Sequence, residues 1–264
     1  EALCLELAAA LGRYDPQTLD TAAELDLLKG LYQALFPRRL RHGLGEYYTP
    51  DWLAERVLTQ VGYQGDPESR LLDPACGSGT FLVAALRRAR RAFEARAAST
   101  PQEERAWAQR VLRNVVGFDL NPLAVMAARV NYLIALRDVP DLLRQPGGAL
   151  LHIPVYLCDS ILAQNGALAQ LCAPTWAALG PLFERAAQPP TLPPFDFIAG
   201  NPPWVLWDHL PPAYRAATRP LWEHYGLFTL SGKDARHGGG KKDLAALMLY
   251  ACADAYLRHG GRLG

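Results

Sequence analysis

The feature that most constrains the fold of this chain is a regular alternation of short apolar segments with longer segments of helical periodicity. Apolar runs predict strands at Arg70–Asp73, Val115–Asp119, Val155–Cys158 and Phe195–Ala199. Three- and four-residue apolar spacing predicts helices at Asp51–Val61, Thr80–Arg96, Pro122–Leu136 and Asp243–Arg258. Strands that alternate with helices pair in parallel through right-handed crossovers. We therefore expect an α/β fold with a mostly parallel sheet and helices on both faces.

Polar residues stand at the end of each predicted strand. Asp73, Asp119 and Asp159 end the first three strands, and Asn201 follows the fourth. In parallel α/β sheets, ligands bind in the crevice outside the carboxyl ends of the strands. These four side chains are therefore expected to meet at one site. The alternative for each aspartate is an ordinary turn or helix-capping residue.

Composition limits the class of protein. Hydrophobic residues make up 50% of the 264 residues, and 27 basic against 26 acidic residues leave a net charge of +1. Proteins that bind DNA without partners usually have a larger excess of basic residues. We therefore expect this chain to supply only part of the DNA-binding surface. The five cysteines form no CxxC pair and the histidines have no metal-ligand spacing. This pattern predicts reduced thiols, no metal site and a cytoplasmic protein.

Neither a signal-peptide pattern nor an apolar run of membrane-spanning length occurs in the sequence, so we expect no membrane partner. Residues 1–42 predict an N-terminal helical segment and residues 43–264 predict one catalytic domain. The sequence starts at Glu1 and stops at Gly264, three residues after Gly260-Gly261, a predicted turn behind which an apolar strand is expected. We therefore expect it to be a fragment of a longer protein.

A glycine loop follows the first predicted strand, where residues 71–81 read LLDPACGSGTF. Glycines let a turn pass close to a ligand, and the following helix presents free N–H groups. The dinucleotide pattern GxGxxG and the phosphate-loop pattern GxxxxGK[ST] are absent. Asp73 would repel a pyrophosphate but suits the amino and sulfonium groups of S-adenosylmethionine. Asp119 can accept from ribose hydroxyls and Asp159 from the adenine amino group. Cys76 is interpreted as a small turn residue, because no histidine stands beside it to activate it.

The fourth predicted strand ends in Asn201-Pro202-Pro203-Trp204. This turn suits a flat base with an exocyclic amino group, whose nitrogen is a poor nucleophile because its lone pair is delocalised. The Asn201 side-chain carbonyl and the Pro202 backbone carbonyl can accept both amino hydrogens and favour a pyramidal nitrogen. The prolines fix the turn, and Trp204 can stack on an extruded base. The alternative is an ordinary Asn-Pro turn after a strand.

With these motifs, the sequence resembles the N6-adenine DNA methyltransferases of restriction–modification and related phage-defence systems. The order GEYYTP, DPACGSGTFL, GFDLNPLA, CDSIL, GNPPW and KKDLAALML is similar to the family's gamma-type order, from about Leu40 onward. The resemblance implies a Rossmann-like S-adenosylmethionine-dependent methyltransferase fold that acts on double-stranded DNA. The implied cofactor-binding residues are Tyr48, Thr49, Pro50, Asp73, Pro74, Ala75, Gly77, Gly79, Thr80, Phe81, Asp119, Leu120, Asp159 and Ser160. The implied catalytic residues are Asn201, Pro202, Pro203 and Trp204, and the implied contacts of the target base are Trp204, Lys242 and Asp243.

The sequence departs from the family pattern in three places. Met248 stands where an aromatic residue is usual, and neither a strand after Gly264 nor a target-recognition domain is present. Restriction or specificity subunits or domains are therefore expected as partners. The alternative functions are an RNA-base or protein-glutamine N-methyltransferase, or a catalytically inactive subunit that binds DNA or a partner.

Basic clusters fall into two groups. Arg87, Arg88, Arg90 and Arg91 are interpreted as a solvated helix face. The clusters at 38–41 and 233–242 lie beside the motifs and are candidates for contact with DNA phosphates.

Overall fold

The computed structural model describes residues 49–96, 99–140, 142, 151–163, 192–228 and 242–264. Within these ranges the helices and strands run in the order α1 (Asp51–Val61), β1 (Leu71–Asp73), α2 (Thr80–Glu94), α3 (Pro101–Asn114), β2 (Val115–Asp119), α4 (Pro122–Ala135), β3 (Val155–Leu157), β4 (Phe195–Ile198), a 3₁₀ turn (Trp207–His209), α5 (Pro212–His224), α6 (Leu244–Tyr256) and β5 (Leu257–Leu263). The predicted N-terminal helical segment, Tyr48 and the basic clusters at 38–41 and 233–241 lie outside the described residues.

The five strands form one parallel sheet in the order β3-β2-β1-β4-β5. The central strand β1 has two neighbours, and its Leu72 pairs with Val116 of β2 and with Ile198 of β4. Strands β2 and β3 lie on one side of β1, whereas β4 and β5 lie on the other side. The direction in which successive strands are added therefore reverses between β1 and β4. Open parallel sheets bind ligands at such a reversal. The predicted α/β fold with a parallel sheet is confirmed.

Consecutive residues of the strands pack into two hydrophobic cores, one on each face of the sheet. Leu71 and Val115 point into a cluster with residues of α1 to α4, in which Trp107 is fully buried. The next residue on each strand, Leu72 and Val116, points into the other cluster, which is built mainly from α5, α6 and the segment before them. Because side chains alternate along a strand, the apolar runs supply both faces, and helices cover each face as predicted.

The bounds of the predicted elements agree with the structure to within two residues. Helices α3 and α5 were not predicted from the sequence, although the start of each carries a residue pattern typical of helix N-termini. Helix α3 begins with a capping box, in which the Thr100 hydroxyl accepts from the Glu103 N–H and the Glu103 carboxylate accepts from the Thr100 N–H. Helix α5 begins at Pro212, although Pro220 inside it lowers its helix propensity.

The end of the chain corrects two expectations. The strand expected after Gly264 lies within the sequence, because β5 begins at Leu257 directly after α6 and pairs with β4. Phe195 of β4 pairs with Leu257, but Phe197 pairs with Arg262, so the residues between them bulge out of the ladder. Gly260 lies in this bulge with φ 75°. The Gly-Gly pair is therefore a bulge inside the strand rather than a turn before it.

Arginines of α2 join helices to each other. Arg88 donates from Nε to Glu55 Oε2 at 2.7 Å and from Nη1 to the Tyr63 carbonyl at 3.0 Å, and its side chain is 13% exposed. Arg91 pairs with the same glutamate at 3.1 Å and is 65% exposed. The interpretation of this cluster as a solvated face is therefore wrong for Arg88, which ties α1 to α2.

Candidate active site

A cavity opens at the carboxyl ends of β1 and β4, where the strand order reverses. Together with the open solvent at its mouth, its volume is about 290 Å³. The lining consists of Asp73, Pro74 and Ala75 from the glycine loop, Ile198, Gly200, Asn201 and Pro202 from β4 and its turn, Met248, Leu249 and Cys252 from α6, and Leu263 and Gly264 from the end of the chain. The sheet thus brings the predicted cofactor loop and the predicted catalytic turn to one cavity.

The glycine loop is held by backbone hydrogen bonds to the neighbouring strand. The Cys76 N–H donates to the Phe118 carbonyl at 2.8 Å, and the Gly79 N–H donates to the Cys76 carbonyl at 2.8 Å. Gly77 and Gly79 have φ of 54° and 95°, a region that side chains disfavour. A Cβ on Gly79 would also lie 3.3 Å from Ala128 of α4. Both glycines are therefore required by the backbone path of the loop.

Asp73 is a buried carboxylate at the end of β1. It is 1% exposed, and its Oδ1 accepts from the Ala75 N–H at 3.1 Å. Burial raises the pKa of Asp73 to about 8, and the nearby Asp119 adds to the rise. No described residue forms an ion pair with this carboxylate.

Gly200 allows Asp73 to approach the turn that precedes Asn201. A Cβ on Gly200 would lie 2.4 Å from Asp73 Oδ1. Any side chain at this position would therefore displace either the carboxylate or the turn, so the predicted cofactor loop and the predicted catalytic turn pack directly against each other.

Asp119 uses both carboxylate oxygens to organise the loops around it. Its Oδ2 accepts from the Gly77 N–H at 2.8 Å and its Oδ1 accepts from the Asn121 N–H at 2.8 Å. A carboxylate has about four acceptor positions, so these bonds are compatible with the predicted ribose contact. The adjacent Leu120 is 46% exposed.

Asp159 is a turn-capping residue in this structure. It is buried, and its Oδ1 accepts from the N–H groups of Ile161 and Leu162 at 2.9 and 3.1 Å. The Tyr214 hydroxyl also hydrogen-bonds to this carboxylate. Ser160 is buried beside it, and its carbonyl accepts from the Tyr256 hydroxyl at 2.9 Å. The predicted contact of Asp159 with the cofactor's adenine stays a prediction.

Other predicted cofactor residues border these loops. Thr49 is buried, and Pro50 is the exposed N-cap residue of α1. Thr80 and Phe81 form the first turn of α2, directly after the glycine loop. Burial raises the pKa of the Cys76 thiol well above its usual value, so the thiol is neutral and unsuited to nucleophilic attack.

The predicted catalytic turn contains a hydrogen bond between two of its own side chains. The Trp204 indole Nε1–H donates to Asn201 Oδ1 at 2.9 Å. Asn201 and Pro202 line the cavity, whereas Trp204 is not among the lining residues and is 53% exposed. The turn is fixed behind this bond by Gly200, whose N–H donates to the Gly264 carbonyl at 3.3 Å.

Lys242 and Asp243 contact the segment that follows the predicted catalytic turn. The Trp207 N–H donates to the Lys242 carbonyl at 2.7 Å, and Leu206 and Asp243 form an antiparallel bridge. The Asp243 side chain caps α6, and the Lys242 ammonium lies 4.5 Å from the centre of the Phe228 ring. Neither residue is among the described residues that line the cavity, and their predicted contact with the target base stays a prediction.

Helix α6 contributes Met248, Leu249 and Cys252 to the cavity instead. Sequence reasoning missed Leu249 and Cys252, and assigned no contact to Met248. Their four-residue and three-residue spacing on α6 was the available signal. The apolar wall they form suits a flat, uncharged group better than a phosphate.

The described residues contain neither a metal-binding cluster nor a membrane-spanning helix. No group of three or more His, Cys, Asp or Glu side chains is arranged to hold a metal ion. None of the described helices has both the length and the apolar character needed to cross a bilayer.

The parallel sheet, the glycine loop after β1 and the Asn-Pro-Pro-Trp turn at the strand reversal define a Rossmann-like methyltransferase domain. Comparison with protein families gives the same result, since the model described as "MmeI, DNA-methyltransferase domain" matches residues 66–216, more than half of the chain. The chain belongs to this family. The match confirms the resemblance to DNA methyltransferases of restriction–modification systems.

A curated relative supports this assignment. The chain is 31% identical over 130 residues to the adenine-specific methyltransferase PglX of Streptomyces coelicolor. The match covers 46% of this chain and 11% of PglX.

Solved structures share the fold. The DrdV–DNA complex, studied by cryo-EM, matches 90% of this chain and 22% of its own with TM-score 0.54 and 18% identity. The ATP-dependent type ISP restriction–modification enzyme LlaBIII bound to DNA matches 88% of this chain and 15% of its own, with TM-score 0.55 and 14% identity. The match to the type IIL restriction–modification enzyme MmeI in complex with DNA covers 88% of this chain and 31% of the MmeI chain, with TM-score 0.50 and 15% identity. The chain thus spans less than a third of each of these proteins.

Proposed function

We propose that this chain transfers a methyl group from S-adenosylmethionine to the N6 amino group of an adenine in double-stranded DNA. It would act in the cytoplasm, as one domain of a longer restriction–modification or related defence protein. The observation that carries the proposal is the cavity at the strand reversal, where Asp73 and Ala75 of the glycine loop lie across from Asn201 and Pro202. Membership of the MmeI DNA-methyltransferase family and the similarity to an adenine-specific methyltransferase support the substrate class.

The residues around the glycine loop fit S-adenosylmethionine. Asp73 is a buried carboxyl group whose pKa is raised to about 8, so its ionised form would need a partner of opposite charge. The amino and sulfonium groups of the cofactor would supply positive charge near it. Asp119 would accept from the ribose hydroxyls while it holds Gly77 in place. When bound, S-adenosylmethionine supplies an electrophilic methyl group on sulfur.

The catalytic turn would prepare the amino nitrogen of the base. Asn201 Oδ1 and the Pro202 carbonyl would each accept one amino hydrogen, which favours a pyramidal nitrogen with its lone pair directed toward the glycine loop. The nitrogen becomes cationic on methylation and then releases one proton to water, so no strong base is required at the site. Catalysis would come from positioning and from fixed dipoles in a cavity walled by apolar side chains.

The target adenine must leave the duplex to reach this cavity. Extrusion of a base costs a few kcal/mol. Stacking on an aromatic side chain returns about 1–3 kcal/mol per base, and the exposed Trp204, two residues after Pro202, would provide it. Met248 and Leu249 would form the apolar wall beside the extruded base.

The test is methylation in a host that lacks DNA methyltransferases. The full-length native protein should produce N6-methyladenine at one recurring sequence, as read by single-molecule sequencing of host DNA. Asn201→Ala should lower methylation by at least 100-fold, because an acceptor for the amino group is lost. Calorimetry should show unchanged binding of S-adenosylmethionine by this variant.

The alternative functions give different results in the same experiment. Transfer of tritiated methyl groups to RNA or protein, with none to DNA, would favour an RNA-base or glutamine methyltransferase. Absence of both cofactor binding and transfer would favour a catalytically inactive subunit. Loss of cofactor binding in Asn201→Ala would instead indicate a folding defect in that variant.

A further inference from the structure

The bond between Trp204 and Asn201 gives the tryptophan a second task in the proposed reaction. An Asn side-chain amide presents an oxygen and an NH₂ group of nearly equal size, and only its hydrogen-bond partners decide which one faces a given direction. The indole Nε1–H can donate but cannot accept. Its position 2.9 Å from Asn201 Oδ1 therefore favours the rotamer that places oxygen, not nitrogen, on that side.

We propose that Trp204 is a positioning residue that holds the Asn201 carbonyl in the orientation needed to accept from the adenine amino group. This inference rests on the proposed methyl transfer. If the amide turned over, its NH₂ group would face the amino group of the base, and two donors would oppose each other. The indole N–H disfavours that rotamer, because it would then meet the NH₂ group as well.

The two tasks of Trp204 use different parts of its ring. The N–H lies in the ring plane and bonds to Asn201 through the edge of the indole, whereas stacking on a base uses the faces. The ring is 53% exposed, so it has surface for stacking while its edge is engaged. Likewise, an amide oxygen has two lone pairs, so accepting from the indole is compatible with accepting an amino hydrogen. The bond can therefore persist in the complex with the base.

The geometry also distinguishes Trp204 from other aromatic residues at this position. Phenylalanine has a stacking face but no donor, and the hydroxyl of tyrosine lies at the far end of its ring, away from the edge that bonds here. Phenylalanine or tyrosine at residue 204 would thus keep the stacking but lose the orienting bond. The identity of the aromatic residue should then affect the rate of transfer and not only the affinity for DNA.

The sharpest test replaces one atom group. Trp204 is exchanged for its benzothiophene analogue, which keeps the shape and stacking faces of the ring but has sulfur in place of N–H. We expect kcat for DNA methylation by the full-length protein to fall about 3- to 10-fold, the range of one net hydrogen bond. KM for DNA and the fluorescence of 2-aminopurine at the target position, which reports base extrusion, should stay within twofold of the wild type.

A mutant cycle separates orientation from a structural effect. In Asn201→Asp, both carboxylate oxygens are acceptors, so no orientation needs to be chosen. The benzothiophene exchange should therefore change the rate of Asn201→Asp by less than twofold. An equal loss in both backgrounds, or no loss in the Asn201 background, would overturn the proposal.

A second measurement does not depend on activity. In the folded protein, the Trp204 indole N–H, assigned by comparison with Trp204→Phe, should exchange with solvent about tenfold more slowly than in Asn201→Ala. Equal exchange would contradict the bond even if the wild type methylates DNA. If exchange is slowed but the wild type methylates no acceptor, the bond exists without the proposed reaction, and both the proposed function and the positioning role would be rejected.

Discussion

At the scale of single residues, the burial of Asp73 gives its carboxylate a property that its type and position do not imply. The rise of its pKa to about 8 means that the carboxyl is protonated at neutral pH until a cation approaches. A cationic ligand favours the ionised form and so lowers this pKa. Ligand binding and proton release are therefore linked at this site.

This linkage predicts the pH dependence of cofactor binding. Below pH 8, binding of S-adenosylmethionine should release about one proton, so its affinity should rise about tenfold per pH unit from pH 6 to pH 8 and then level off. Calorimetry in buffers of different ionisation enthalpy measures both the affinity and the proton count.

Asp73→Asn provides the control for this prediction. Its affinity should be lower at pH 8 and nearly constant with pH, since the titrating group is gone. The unliganded wild type should also lose stability relative to this variant as the pH rises from about 4 to 8. In that pH range the carboxyl of residue 73 ionises in the unfolded chain, where its pKa is the ordinary 3.8, but stays protonated in the folded protein. Ionisation therefore stabilises only the unfolded state. A flat wild-type profile would show that Asp73 does not face the cofactor's charge.

Asp119 gives a second prediction at this scale. Asp119→Ala should weaken binding of S-adenosylmethionine by about 10- to 100-fold, because the ribose acceptor and the anchor of the Gly77 N–H are both lost. Calorimetry gives the affinity, and urea unfolding of the same variant shows how much of the loss is structural. Unchanged affinity would refute the ribose assignment.

At the scale of helices and strands, the sequence predicted most elements because their periodicity is local. Each of these elements has an apolar pattern that is visible within its own segment of the sequence. They are helices α1, α2, α4 and α6 and strands β1 to β4. Strand β5 was misplaced because its pairing partner, β4, lies some sixty residues earlier and decides where the bulge falls. Local patterns do not contain that information.

The contacts between α1 and α2 yield a prediction for this scale. Arg88→Ala should destabilise the domain by about 2–4 kcal/mol, because the carbonyl of the buried Tyr63 loses this donor and Glu55 keeps only one of its two arginine partners. Arg91→Ala is the matched control, since it pairs with the same glutamate from an exposed position and should cost less than about 1 kcal/mol. Urea unfolding measures both, and equal losses would contradict the bridging role of Arg88.

At the scale of the whole molecule, charge and size set what the chain can do alone. A net charge of +1 provides little attraction for DNA phosphates. The match covers less than a third of each longer protein that shares its fold. We therefore expect the attraction for DNA phosphates to come mainly from partners or from other parts of the native protein.

The corresponding prediction concerns DNA binding by this chain in isolation. We expect a Kd for duplex DNA weaker than about 10 µM at 0.15 M salt, and a shallow dependence of log K on log salt, with a slope smaller in magnitude than about 3. Fluorescence anisotropy between 0.05 and 0.2 M salt measures both quantities. Tight binding with a steep slope would show that basic side chains cluster on one face despite the low net charge.

The sequence by itself determined the α/β class, the strand ends at Asp73, Asp119, Asp159 and Asn201, and the two motifs of the site, because these follow from local periodicity and from short residue patterns. Only the tertiary structure decided which side chains share the cavity. It placed Met248, Leu249 and Cys252 in the lining, and it placed Lys242 and Asp243 behind the turn. It also packed Gly200 against Asp73 and joined Trp204 to Asn201. The physical reason is that strand order, burial and side-chain direction arise from long-range packing, which no short segment of the sequence encodes.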